Sequence, residues 1–238
     1  MYYWEYILIG LILLPGIIIA SIAQAKVSSA YNYYGKVKAK SGIIAKDAAR
    51  MVLDGASLEK VKIGQVKGNL TDNFNPKTNV VSLSEGVVES DSIAALGIAL
   101  HEVGHAIQHN KGYYPAKLRT RVVVFSNAVS FFLWPLVFLG LMFNFVWLDG
   151  LLGSIFLWSG IGFFGLSVLL NLVTLPVEYN ASNRALKILE QTGILDSSEI
   201  PGCKKVLRAA GLTYVASLIM SILILLRFIL VAFAGRRK

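Results

Sequence analysis

Long apolar runs alternate with mixed polar segments along this chain. Four of the runs, residues 2–22, 122–148, 150–177 and 209–234, reach the about 20 residues with which an α-helix crosses the hydrocarbon core of a bilayer. The first is broken only by Glu5, the second and third hold no charged side chain and are parted by Asp149, and Arg227 interrupts the fourth. The pattern predicts four transmembrane helices, the middle two paired as a hairpin. Residues 2–22 lack the basic leader and small-residue cleavage site of a removable signal, so they read as a retained anchor. Arg227 is expected to snorkel to a headgroup layer or to face a partner helix.

Between the first and second runs lies a segment long enough for a small folded domain of about 100 residues. Residues 26–40 are basic and carry Tyr31, Tyr33 and Tyr34, which suits an interfacial or helical extension of the first span. Helical spacing runs over residues 43–53 and stops at Asp54-Gly55. Residues 61–66 and 79–84 are strand candidates flanking a turn-rich stretch, 68–77, in which Asp72, Asn73, Asn75 and Pro76 supply the bends. Val81 and Leu83 share one face, so 79–84 is either an edge strand open to an extended substrate or an ordinary strand of a small sheet.

Composition sharpens the membrane reading. Of 238 residues 55% are hydrophobic and only 16% charged, against about a quarter charged in soluble domains. The net charge of +9 sits between apolar runs rather than on one face, so the expected counter-charge is anionic lipid, not nucleic acid. The single cysteine, Cys203, excludes an intrachain disulfide and any CxxC site, leaving histidine and carboxylate as metal ligands. Fourteen Lys and Arg lie within residues 26–121 and five within 184–208, which assigns both regions to the cytoplasmic side. Four crossings then put the N-terminus outside, together with Arg236, Arg237 and Lys238, a tail that runs against the positive-inside rule.

All three histidines fall in one stretch, His101-Glu102-Val-Gly-His105-Ala-Ile-Gln-His109. Ser90 or Ser92 can cap a helix that runs to Asn110-Lys111-Gly112, where glycine stops it. His101 and His105, four residues apart, then stack on one face, and both can reach one ion at about 2.1 Å. In this HExxH arrangement Glu102 can take the proton of a metal-bound water. A helix apolar nearly all round, with small Ala94, Gly97 and Gly104, would otherwise bury the Glu102 charge uncompensated.

Three residues compete as third ligand. His109 lies about 6 Å further along the helix axis than His105, too far for the same ion on a straight helix, and reads as a surface or supporting group. Asp149, in Leu148-Asp149-Gly150, resembles the LDG ligand of intramembrane zinc proteases, but a span of residues 122–148 would hold it roughly 40 Å away. Glu178 follows the third run in Pro176-Val-Glu178, and an even number of crossings returns it to the side of the histidines; its alternative is a solvated carboxylate at a helix N-terminus. Arg184, two turns on, is a candidate oxyanion donor.

These residues resemble, over nearly the whole chain, the YugP-type membrane-bound neutral zinc metallopeptidases, similar in type to the HtpX-like proteases. The resemblance rests on the anchor, Val61-Lys-Ile-Gly-Gln-Val-Lys-Gly68-Asn-Leu-Thr71-Asp72, Asn75-Pro76, Leu83-Ser84, the run from Ala94 through Gln108, and Pro176-Val-Glu178 with Ala181-Ser182 and Arg184-Ala-Leu. It implies His101, His105 and Glu178 as zinc ligands and Glu102 as catalytic base. Two positions depart from the pattern, Asn180 and Ser182, where carboxylates are expected to support a ligand.

The expected fold is mainly α, a polytopic membrane protein of about four transmembrane helices with a small α+β zincin-like cytoplasmic domain. Its parts are an anchor (1–25), that domain (26–121), a transmembrane hairpin (122–177), a cytoplasmic helix bearing the third ligand (178–208) and a C-terminal span (209–238). The expected activity is zinc-dependent cleavage of peptide bonds in protein or peptide substrates at the cytoplasmic face of the cell membrane. Intramembrane proteolysis is disfavoured, since residues 93–107 are too few to span and Asp91 and Lys111 flank them. The alternative is a non-catalytic, zinc-stabilised scaffold or pseudo-protease, to which Glu102 would be dispensable.

Overall fold

The computed structural model describes residues 9–145 and 150–235. Its elements are α1 (Leu14–Tyr34), α2 (Ala45–Gly55), β1 (Lys62–Val66), β2 (Asn73–Asn75), β3 (Val80–Ser84), α3 (Glu85–Val88), α4 (Ile93–Asn110), α5 (Tyr114–Phe145), α6 (Gly150–Thr192) and α7 (Ile200–Gly235). The chain is mainly helical with one three-stranded sheet, and it divides into two compact units.

One unit comprises residues 1–22, 118–175 and 214–238. Glycines set its helix contacts: a Cβ on Gly140 would lie 2.7 Å from the Leu157 nitrogen, and one on Gly16 would lie 2.9 Å from Leu223 Cδ1. Such close backbone approach is how helices associate where no water drives them together. Ile18, Phe131, Trp134, Phe138 and Leu151 point outward, the surface expected of helices bathed in lipid. Three described helical stretches are long and apolar enough to cross a membrane, Ile9–Tyr34, Leu151–Thr192 and Ile200–Phe233. The remaining expected span, residues 122–148, falls on α5, where the described apolar stretch is the shorter Trp134–Phe143 and residues 146–149 lie outside the description.

The other unit comprises residues 23–117 and 176–213. In α2 the buried residues Ala45, Ala48, Ala49, Val52 and Leu53 recur at helical spacing and dock on α4. The sheet order is β1-β3-β2, with β1 parallel and β2 antiparallel to β3. Val81 and Leu83 point from β3 into the core with Leu53, Leu96, Leu100 and Val103. Because β3 is paired on both sides, it is central; of the two readings of 79–84, the edge strand falls and the ordinary strand of a small sheet holds, with β1 and β2 as the edges. In the turn from β2 to β3 Asn75 Oδ1 accepts from the Lys77 and Thr78 amides, and just before β2 Asp72 accepts from the Ser84 amide and hydroxyl.

The expected separate helix over 178–208 is also corrected. Through Pro176, α6 runs unbroken to Thr192, and Gly193, at φ 67°, turns the chain toward α7. A capping box opens α7: Asp196 Oδ1 accepts from the Ser198 amide, and Glu199 Oε2 from the Asp196 amide.

Candidate metal centre

The helix carrying the histidines begins where Ser92 Oγ accepts the Ala95 amide at 3.2 Å and ends at Gly112, whose φ of 64° lets the Tyr113 amide reach the Gln108 carbonyl at 2.9 Å. His101, Gly104, His105 and Gln108 therefore form one stripe along α4. Facing them on α6 are Glu178, Ala181 and Ser182. Contact is closest at Gly104, where a Cβ would lie 2.8 Å from the Ala181 carbonyl oxygen. That missing side chain lets the two backbones meet and brings a residue 77 positions away in sequence into the histidine pair.

Glu178 Oε2 lies 3.2 Å from His101 Nε2 and 3.5 Å from His105 Nε2, with the carboxylate buried. One donor atom from each of the three residues falls within 4.8 Å of the others, a group that could hold a metal ion.

Each ring is held from behind. Arg184, which can only donate, gives its Nε–H to Asn180 Oδ1 at 2.7 Å. The same oxygen accepts from Gln108 Nε2 at 3.0 Å, and that NH2 also donates to the Val177 carbonyl at 2.8 Å. Gln108 Oε1 is thereby turned to His105 Nδ1, 3.0 Å away, which must carry the proton. Ser182 Oγ stands 3.1 Å from His101 Nδ1 and can accept its proton in the same way. With Nδ1 protonated, a neutral imidazole presents a bare Nε2 lone pair to the Glu178 carboxylate. Two such lone pairs facing one carboxylate call for a cation or added protons between them.

The donor set fits zinc. Ligands at about 2.0–2.1 Å in tetrahedral array stand about 3.3–3.4 Å from one another, and the two ring-to-carboxylate distances bracket that value. Imidazole and carboxylate are ligand types zinc takes, and both rings have the supporting hydrogen bonds that metal-bound histidines keep. Burial pushes the Glu102 carboxyl above its ordinary range, the His101 and His105 rings draw it back, and the Glu178 and Asp72 charges add to the rise. His105 is raised too: burial opposes its charge, but hydrogen bonding to Glu178 and the nearby Glu102 outweigh that cost.

The structure brings His101, Glu102, His105 and Glu178 to one place. His109 is exposed, with its ring centroid 6.0 Å from that of Phe74, and does not join them. Asp149 lies outside the described residues. Arg184 is bound to Asn180 and lines a cavity whose walls contain none of those four residues, so the expected oxyanion role gains no support. Asn180 and Ser182, read in the sequence as departures, occupy the supporting positions themselves. Gln108 was visible only as part of the motif, because its role depends on the register between two helices.

No solved structure matches the chain. It is 44% identical over 218 residues to the "Putative membrane protease YugP" of Bacillus subtilis (strain 168), an alignment covering 90% of this chain and 92% of that one. The model of the family described as "Putative neutral zinc metallopeptidase" matches residues 9–233. By both measures the chain belongs to this family of neutral zinc metallopeptidases.

Proposed function

We propose that the chain is an integral membrane zinc endopeptidase in which His101, His105 and Glu178 hold the ion and Glu102 is the general base. The observation that carries this reading is the convergence of two imidazole Nε2 atoms on one buried carboxylate at 3.2 and 3.5 Å. Zinc held by these three residues would supply a Lewis acid able to make water nucleophilic near neutral pH and to polarise the peptide carbonyl. Glu102, adjacent to His101, takes the proton of the attacking water on its carboxylate and passes it to the leaving amine. Its burial supports the role by making the carboxylate a stronger base. Gln108 and Ser182 keep both rings turned toward the ion.

The site faces the cytoplasm close to the bilayer. Support comes from the fourteen and five basic residues in 26–121 and 184–208, and from α6, a single helix that carries both an apolar stretch and Glu178. In this reading α5 completes a four-span topology.

The test is Glu102→Gln. Proteolysis of an unfolded protein by the purified chain should fall about 100- to 10,000-fold, while zinc, measured by elemental analysis, stays bound. Retained proteolysis overturns the assignment of the base. A chain that binds zinc yet cleaves nothing in either form favours the scaffold reading.

A further inference from the structure

Next to Glu178 in sequence, Tyr179 lines a cavity that contains none of the metal-centre residues. The cavity, of about 620 Å³, opens among α1, α6 and α7, within the roughly 300–1,000 Å³ of ligand pockets. Lys26, Lys205 and Arg208 line it, no Asp or Glu does, and none of the three cations has an ion-pair partner among the described residues. Ser29 and three phenols, Tyr33, Tyr34 and Tyr179, complete the polar lining. Two of these rings are seated against α7: a Cβ on Gly202 would lie 2.6 Å from Tyr34 Cε1, and one on Gly211 3.6 Å from Tyr179 Cζ. Helix packing therefore fixes Tyr34 and Tyr179 in the wall, while Lys26, Lys205 and Arg208 are exposed at its rim.

We propose that this cavity binds the phosphodiester headgroup of an anionic phospholipid. Uncompensated positive charge and phenol hydroxyls select a phosphate group. Continuity with apolar helix selects a lipid over free phosphate. Ala30, Ala209 and Leu212 form the cavity's apolar side, and α1, α6 and α7 each lead from it into a stretch apolar enough to cross a membrane. Acyl chains can follow those stretches while the headgroup stays among the cations. Tyr179 adjoins Glu178 in sequence, so the occupied cavity would bear on the helical turn that carries the third ligand.

Native mass spectrometry of the full chain in zwitterionic detergent tests this, with phosphatidylglycerol, phosphatidylcholine and inorganic phosphate added separately. One phosphatidylglycerol should be retained at a concentration at least tenfold lower than phosphatidylcholine. Lys205→Ala with Arg208→Ala should weaken that retention about 10- to 30-fold, and Lys60→Ala, on an exposed surface elsewhere, should leave it unchanged. Should the double variant fail to fold, Lys26→Ala alone must weaken retention severalfold. Equal retention of the two lipids, indifference to these substitutions, or saturation by inorganic phosphate that displaces the lipid would each overturn the proposal.

Discussion

Gln108 decides which nitrogen of His105 faces Glu178, because both its amide protons are already committed, to Val177 and Asn180. Gln108→Ala should therefore release the ring and lower zinc affinity about 10- to 100-fold, measured by competition with a chromophoric chelator; an unchanged affinity would show that the ring needs no such support. Ser182→Ala should act in the same direction through His101. Glu178→Ala removes a proposed ligand rather than its support and should leave less than one zinc per chain after dialysis. The pairing of His101 and His105 on one face was legible because four-residue spacing on a helix is a local property. Glu178 was legible through counted crossings and through the family resemblance of Pro176-Val-Glu178, not through any local spacing. The roles of Ser182, Asn180 and Gln108 were not, since a side-chain bond between two helices depends on their mutual register, which no local pattern carries.

Among the elements, α4 is the one on which the site depends, and its approach to α6 is set by Gly104. A methyl group there would sit 2.8 Å from a backbone oxygen that cannot rotate away, so the helices would have to separate. Gly104→Ala should cost on the order of 1–3 kcal/mol and reduce zinc stoichiometry, while Gly55→Ala, with open space around its Cβ position, should be neutral or stabilise by up to about 1 kcal/mol; thermal melts of the zinc-free chains separate the two. At the start of α7, hydrogen bonds from the Ser198 hydroxyl and amide and from Lys40 hold the Asp196 carboxyl down to about 2. Its folded value lies below the unfolded one, so its contribution is present above about pH 4 and fades as pH falls toward 2. The stability difference between the native chain and Asp196→Ala should shrink over that interval. Apolar periodicity made α2 and α4 visible, whereas β2, three residues long, lay inside a stretch dominated by turn residues. The continuity of α6 through Pro176 was hidden because proline marks a helix start as readily as a bend.

For the whole molecule, the sequence supports two statements of different strength. Long apolar runs identify a membrane protein because few other environments accept such surfaces, and the outward-facing aromatic and aliphatic side chains of the described helices agree. Sidedness rests on charge distribution alone, and there the chain is divided: nineteen basic residues in two regions argue for one orientation and three at the C-terminus against it. The larger set should prevail, because the orientation rule counts Lys and Arg in loops near the spans and the first spans usually dominate it. A cysteine introduced at Asn69, in the turn between β1 and β2, should then be modified in intact cells only by a membrane-permeant thiol reagent, with Cys203 replaced by serine to remove the background. A reporter fused after Lys238 should read as external. If Asn69 and the C-terminal reporter lie on the same side, the chain crosses an odd number of times, and α7 is the helix to remove from the count, because without α5 the single crossing by α6 would leave Glu178 across the membrane from His101. With α5 and α6 both still crossing, α4 and α6 would still meet at Gly104, so zinc binding by His101, His105 and Glu178 should survive that change in the C-terminal span.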